Sequence, residues 1–174
     1  MDLITLDFET FYDKDFSLSK LTTEEYIRDP RFQIIGVGVK LNDSDTEWAS
    51  GTYEEIEEFL ADPLYDWDNS MVLAHNTLFD GAILSWLFGI KPRVWADTLS
   101  IGRAIHGVEV SGSLKALAER YGVGQKGTEV LDAKGKRRED FTEEELSRYG
   151  DYCINDVELT YKLFSRMLKG FPKQ

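Results

Sequence analysis

The period of the last thirty residues constrains this chain more than any other feature. Leu146, Tyr149, Cys153, Val157, Tyr161, Phe164 and Leu168 recur at intervals of three and four, which predicts one long helix with a single apolar stripe. Thr142 followed by Glu143, Glu144 and Glu145 supplies a cap and an acidic first turn, and Gly170 with Pro172 stops it. The rest of the chain reads differently. Residues 2–9 and 32–41 are strand-like, with a weaker strand at 46–49 and short ones at 70–74 and 93–96. Helices are expected at 53–61, at 78–88 with Asn76 or Thr77 as its cap, from Asp97-Thr98 to about 105, and at 113–121. The stretch 122–138 is rich in glycine and lysine and reads as a loop. Strands first and helices interleaved afterwards give an α/β layered domain.

A length of 174 residues fits a single domain, 1–174, with a substantial core. No apolar run approaches a membrane span, and the N-terminus does not read as a signal peptide. The single cysteine, Cys153, cannot form an internal disulfide. It suits a reducing interior, so a cytoplasmic location is expected, a host's cytoplasm if the chain is phage-encoded. The net charge of −12 argues against coating duplex DNA by broad phosphate neutralisation. It leaves room for gripping a few nucleotides around bound cations.

Four acids stand out by position. Asp7 and Glu9 are two apart in a strand and share a face, while Leu6 and Phe8 take the other. They could hold a metal at a strand end or simply begin a polar loop, and those residues alone weigh the two equally. Asp80 lies in the first turn of a helix, where the dipole already favours an acid, yet it shares a face with Leu84 and Leu87. Asp156 falls four residues after Tyr152, in a row continued by Leu159, Leu163 and Met167. A carboxylate in that row needs a compensating cation or a raised pKa.

In order, the chain carries Asp7-Phe8-Glu9-Thr10, Asn76-Thr77-Leu78-Phe79-Asp80 and Tyr152-Cys153-Ile154-Asn155-Asp156. This resembles the three motifs of the DEDD superfamily of 3′→5′ exonucleases, over nearly the whole chain. Tyr152 precedes Asp156 by four, and position 151 is Asp rather than His, so the match is to the tyrosine class. Ile4-Thr5-Leu6-Asp7-Phe8-Glu9-Thr10 and the Tyr-Cys-x-x-Asp segment are similar to the proofreading domains of phage-type family A DNA polymerases, which suggests an excised domain or a free-standing relative.

The resemblance implies a ribonuclease H-like three-layer α/β/α fold with a mixed five-stranded sheet, residues 2–9 central and 32–41 antiparallel to them. It implies two divalent cations, Mg²⁺ or Mn²⁺, held by Asp7, Glu9, Asp80 and Asp156, with Asp7 bridging both. Such ions sit roughly 3.5–4 Å apart in two-metal sites. Tyr152 would orient the attacking water or the scissile phosphate. The expected reaction is hydrolysis of the terminal phosphodiester of single-stranded or frayed DNA, releasing nucleoside monophosphates, with a polymerase domain or subunit as partner. An RNA-trimming enzyme similar to ribonuclease D would use the same residues. A catalytically silent adaptor is the reading from another class, although all five residues are present.

Candidate nucleic-acid contacts are Thr10, Phe11 or Tyr12, Asn76, Leu78 and Phe79, any of which could also be core. The dense basic cluster of Lys134, Lys136, Arg137 and Arg138, with Lys126 nearby, reads either as a solvated loop or as a phosphate contact. Asp97-Thr98 could support the site or merely cap a helix. His75 and His106 lack zinc spacing, and Cys153 reads as a small buried side chain.

Overall fold

Leu3–Thr10 forms β1, the middle strand of a five-stranded sheet ordered β3-β2-β1-β4-β5. On one side β2 (Ile34–Leu41) and β3 (Glu47–Ser50) follow antiparallel. On the other, β4 (Met71–Ala74) and β5 (Val94–Asp97) run parallel to β1. The computed structural model describes residues 1–127 and 132–171. Residues 128–131 of the glycine-rich stretch, and Pro172 as a helix stop, lie outside the described residues.

Continuous burial of Ile34 through Lys40 shows β2 covered on both faces, as suits a strand with no polar residue before Lys40. α2 (Tyr53–Leu60) and α3 (Thr77–Phe88) lie on one face. The opposite face carries α6 (Glu143–Lys169), 27 residues long, which crosses β1, β2 and β3. α4 (Thr98–His106) and α5 (Leu114–Tyr121) pack on its second half, where Leu117, Leu159, Leu163 and Met167 form a separate apolar cluster. That cluster moves the buried line of α6. Leu168, expected on the stripe, is 47% exposed, and Met167 is buried in its stead.

Two glycines let α6 approach closely. A Cβ at Gly38 would stand 3.0 Å from Cys153 Sγ, and one at Gly150 would meet the Trp48 ring at 2.5 Å. Such contacts would push the helix off the strands that carry the acids.

The mixed sheet with helices on both faces is the architecture expected, and most element boundaries fall within a residue or two of expectation. One helix was not anticipated. α1 (Thr23–Arg28) is opened by a Thr22–Glu25 capping box and buries Tyr26 and Ile27. The α3 cap also differs. Asn76 occupies the cap position at φ +70° but makes no side-chain cap bond. Its left-handed backbone turns the chain from β4 into α3, while its N–H is held by Asp97 Oδ1 at 2.8 Å. Among the described residues, no helix is long and apolar enough to cross a membrane.

Candidate active site

The site begins where β4 stops. β4 pairs with β1 only as far as Thr5↔Leu73, so the second half of β1 has no strand neighbour on that edge. A buried N–H left there would be costly. Asp80, in the first turn of α3, fills the gap: its Oδ1 accepts the Phe8 N–H at 2.9 Å. One acid is thereby fixed to the backbone of the strand that carries two others.

Asp7 and Glu9 pair in register with Gly38 and Gly36 of β2; the lack of a side chain at Gly38 admits Cys153 and Val157 of α6, and that at Gly36 admits the Trp48 ring. Ligand atoms of Asp7, Glu9 and Cys153 all lie within 4.8 Å of one another. The Cys153 thiol donates to Asp7 O at 3.4 Å and approaches its Oδ2 at 3.7 Å. Burial, with Asp7 and Glu9 beside it, pushes the thiol well up. It stays protonated and orients Asp7, which is more than the small buried filler anticipated. Tyr149, read as core alone, also stacks on Trp48 and stands close enough to Glu9 to feel its charge.

All four acids titrate high. Asp7 is pushed up to about 6, chiefly by burial and then by the charge of Asp156. Glu9 rises well above the usual carboxylate range through burial and then Asp7; Asp80 does so for the same two reasons. Asp156 rises by burial, partly offset by Lys126. Asp7 is the shared neighbour in this set.

Lys126 is the cation of the site. Its Nζ lies 3.2 Å from Asp156 Oδ2 and 5.4 Å from the Tyr152 ring centroid. Burial works against the ammonium, but Asp156 and Tyr152 outweigh it and raise its pKa. Tyr152, half-buried, is raised by burial and then by Asp156. The four-residue spacing on α6 thus places both groups against one lysine.

The donor set suits a divalent cation. Asp156 Oδ1 is buried with no hydrogen-bond partner among the described residues, and the acids around it repel one another. Hard carboxylate oxygens match Mg²⁺ or Mn²⁺, whereas a protonated thiol does not.

The other candidates divide. Thr10 bonds the Tyr26 hydroxyl at 2.8 Å. Phe11 is no surface contact: it is buried, 5.9 Å from Phe16 between centroids, and its carbonyl accepts the Tyr26 hydroxyl. Its neighbour Tyr12 is exposed by more than a third, and its pKa is raised first by partial burial and then by the charge of Glu9. Phe79 is half-buried against Tyr26, while Asn76 and Leu78 are exposed. The basic cluster is turned to its own chain. Lys136 binds Glu145 at 2.7 Å, Arg137 covers the Phe11 ring at 4.7 Å, and the Arg138 backbone bonds Gln33. Asp97 caps α4, one of the two readings considered for it, and its Oδ1 also accepts the Asn76 N–H at the turn before α3. His75 bridges Thr98 and the Gly112 carbonyl, using both ring nitrogens structurally.

Residues 49–171 match the family model described as 3′-5′ exonuclease. The chain belongs to this exonuclease family. It is the DEDDy class, whose members use divalent metal ions, and the exonuclease domain is a hydrolytic nuclease with a ribonuclease H-like fold. No curated protein sequence matches it. Among solved structures, Brucella melitensis NrnC superposes with a TM-score of 0.65 at 15% identity, over 96% of this chain and 72% of that one. Trypanosoma brucei RNase D gives 0.69 at 17%, over 95% and 57%. At such identities the likeness is one of fold. NrnC is known with Mg²⁺ bound and in complex with pGG, and RNase D in complex with RNA U12.

Proposed function

We propose that Asp7, Glu9, Asp80, Asp156 and Tyr152 form the active site of a 3′→5′ exonuclease acting on single-stranded or frayed DNA ends, as in polymerase proofreading. The observation that carries this is the buried Oδ1 of Asp156, without a hydrogen-bond partner among the described residues, in a carboxylate whose charge reaches Asp7 and Glu9 on β1. The four carboxylates would hold two divalent cations. Bound there, the cations would supply the positive charge that acidifies water and offsets the anionic phosphate. Asp80 contributes an acid already oriented by the Phe8 N–H. The Tyr152 hydroxyl positions the water or the phosphate by hydrogen bonding. Its raised pKa makes it a donor and disqualifies it as a base at neutral pH. Lys126 stands against both Asp156 and the Tyr152 ring.

A second reading, RNA 3′-end trimming, is favoured by the likeness to RNase D, known in complex with RNA U12. Matched DNA and RNA single strands, labelled at the 5′ end and digested with Mg²⁺ or Mn²⁺ or with chelator, decide both points. Stepwise shortening that needs metal supports the exonuclease, and preference for DNA supports proofreading. Release of internal fragments would contradict the reading, and preference for RNA would replace its substrate.

A further inference from the structure

Charge is unevenly spread along this chain. Residues 98–127 and 159–171, which hold α4, α5 and the second half of α6, carry seven Lys and Arg against two Asp and Glu, in a chain with 20 against 32 overall. Three of the seven meet in one open cleft, where Lys162, Arg166 and Lys169 of α6 stand with Ser165 and with Gly122 from the end of α5. No acid lines the cleft, and its three cations have no ion-pair partner among the described residues. Glu158, one turn before Lys162, is taken up by Lys40 at 2.8 Å and Thr46 at 2.7 Å. The helix dipole accounts for only part of this pattern. It favours cations in a last turn, as for Arg166 and Lys169, but Lys162 lies a full turn earlier. Lys115 stands in the first turn of α5, where the dipole disfavours a cation.

The segment that leaves the cleft joins it to the acids. From Gly122 the chain runs back along α6 and touches its successive turns. A Cβ on Gly124 would meet Leu159 at 2.8 Å, Asn155 donates to the Gln125 carbonyl at 3.0 Å, and Lys126 reaches Asp156 at 3.2 Å. Asn155, Lys162, Arg166 and Lys169 follow one another at seven, four and three residues, which is one face of the helix. Positive charge thus extends from Lys169 to Lys126 beside Asp156, about 20 Å along the helix axis. At about 230 Å³ the cleft is smaller than the roughly 300–1,000 Å³ of small-molecule pockets, so it suits one portion of a longer polyanion.

We propose that the Lys162–Arg166–Lys169 cleft grips backbone phosphates of the single strand whose 3′ end enters the carboxylate site, with Lys126 at the inner end of the track. This rests on the exonuclease reading above and extends it from the scissile bond to the strand behind it. It reconciles a net charge of −12 with a polyanionic substrate, because the cations are gathered on one side.

The test follows the anisotropy of a labelled twelve-residue oligothymidylate on the full chain, in chelator so that nothing is cleaved, from low to high salt. The triple variant Lys162→Gln, Arg166→Gln, Lys169→Gln should weaken binding roughly 10- to 100-fold at low salt and reduce the salt slope by about 2, at roughly 0.7 per phosphate contact. Lys162→Gln alone should reduce the slope by about 0.7, and it serves where the triple variant fails to fold. A matched control, Lys20→Gln, Lys91→Gln, Arg93→Gln, removes as much charge from exposed positions on other parts of the chain. Its affinity and slope should stay with the wild type. Unaltered binding in the cleft variants, or an equal fall in the control, would overturn the track. So would equal affinity for a twelve-residue polyglutamate, which would assign the cleft to an acidic polypeptide. Shortening of the same oligonucleotide by the wild type with metal reads the carboxylate site separately. Its absence would count against the exonuclease reading alone, because strand binding is read without metal. Its presence beside unaltered binding in the cleft variants would remove the track and leave that reading intact.

Discussion

Asp80 and Asp156 are both buried acids of the proposed site, and they are held in opposite ways. Asp80 takes its place from the backbone: β4 ends early, and the Phe8 N–H needs an acceptor. No cation is required for that contact, and it persists as long as β1 and α3 are folded. Asp156 depends on side chains. One oxygen leans on Lys126, from the loop before α6, and the other has no partner among the described residues. The difference teaches that half of the site is set by the fold and half is adjustable. Cation binding should act mainly on the adjustable half.

The largest effect should come from removing an acid on the adjustable side. Asp156→Asn is expected to abolish nuclease activity under conditions where Thr142→Ala, a cap change costing about 1 kcal/mol, stays active. Stepwise digestion of a labelled strand checks this, and residual activity within tenfold of wild type would detach Asp156 from the chemistry. Tyr152→Phe should follow, slowing turnover by about 10- to 100-fold with little change in metal affinity. Single-turnover rates and calorimetric metal titration separate the two.

Lys126→Met breaks the comparison most directly. It leaves Asp156 without its cation, so the metal-free protein should lose roughly 1–2 kcal/mol, less than for a fully buried pair because Lys126 keeps some exposure. Mg²⁺ should restore most of that loss. Equal destabilisation with and without Mg²⁺, by urea denaturation, would show that Lys126 does not stand where a cation is needed. The smallest effect is in pH. Asp7 titrates at about 6 when folded, raised by burial and by Asp156, against about 4 when unfolded. The folded state therefore holds the extra proton between those values, and this acid's contribution to stability falls as pH rises from about 4 to 6. Without metal, Asp7→Asn should gain on the wild type in melting temperature across that window and keep the gain above it. Mg²⁺ should shrink the gain at pH 7.

Much of the fold was legible because its signals are local and periodic. The α6 stripe, the β1 and β2 runs and the Thr142 capping box each follow from short-range sequence. α1 could have been read too, since Thr22-Thr23-Glu24-Glu25 carries the same capping pattern. At the site, Asp7, Glu9, Asp80, Tyr152 and Asp156 stood out by spacing and motif order, and the structure brings them to one end of β1. Lys126 was beyond reach as a partner of Asp156, because an aperiodic loop gives no clue to which acid its lysine meets. Phe11 misled for a related reason: an aromatic after a strand is equally suited to surface or core, and the Tyr26 and Phe16 that bury it arrive from the unread segment. Tyr149 matched the core stripe so well that its nearness to Glu9 went unsuspected.

The length of α6 has a geometric consequence. Its first half carries Tyr149, Tyr152 and Asp156, and its second half is wedged against α4 and α5 through Leu159, Leu163 and Met167. Each residue advances a helix by about 100°, so the two halves share one angular setting, like a key whose bit and bow are cut from a single shaft. One residue inserted after Val157 would leave the acids correctly spaced among themselves yet turn them against the wedge. The aim of Asp156 is thus decided partly by methylenes several turns away.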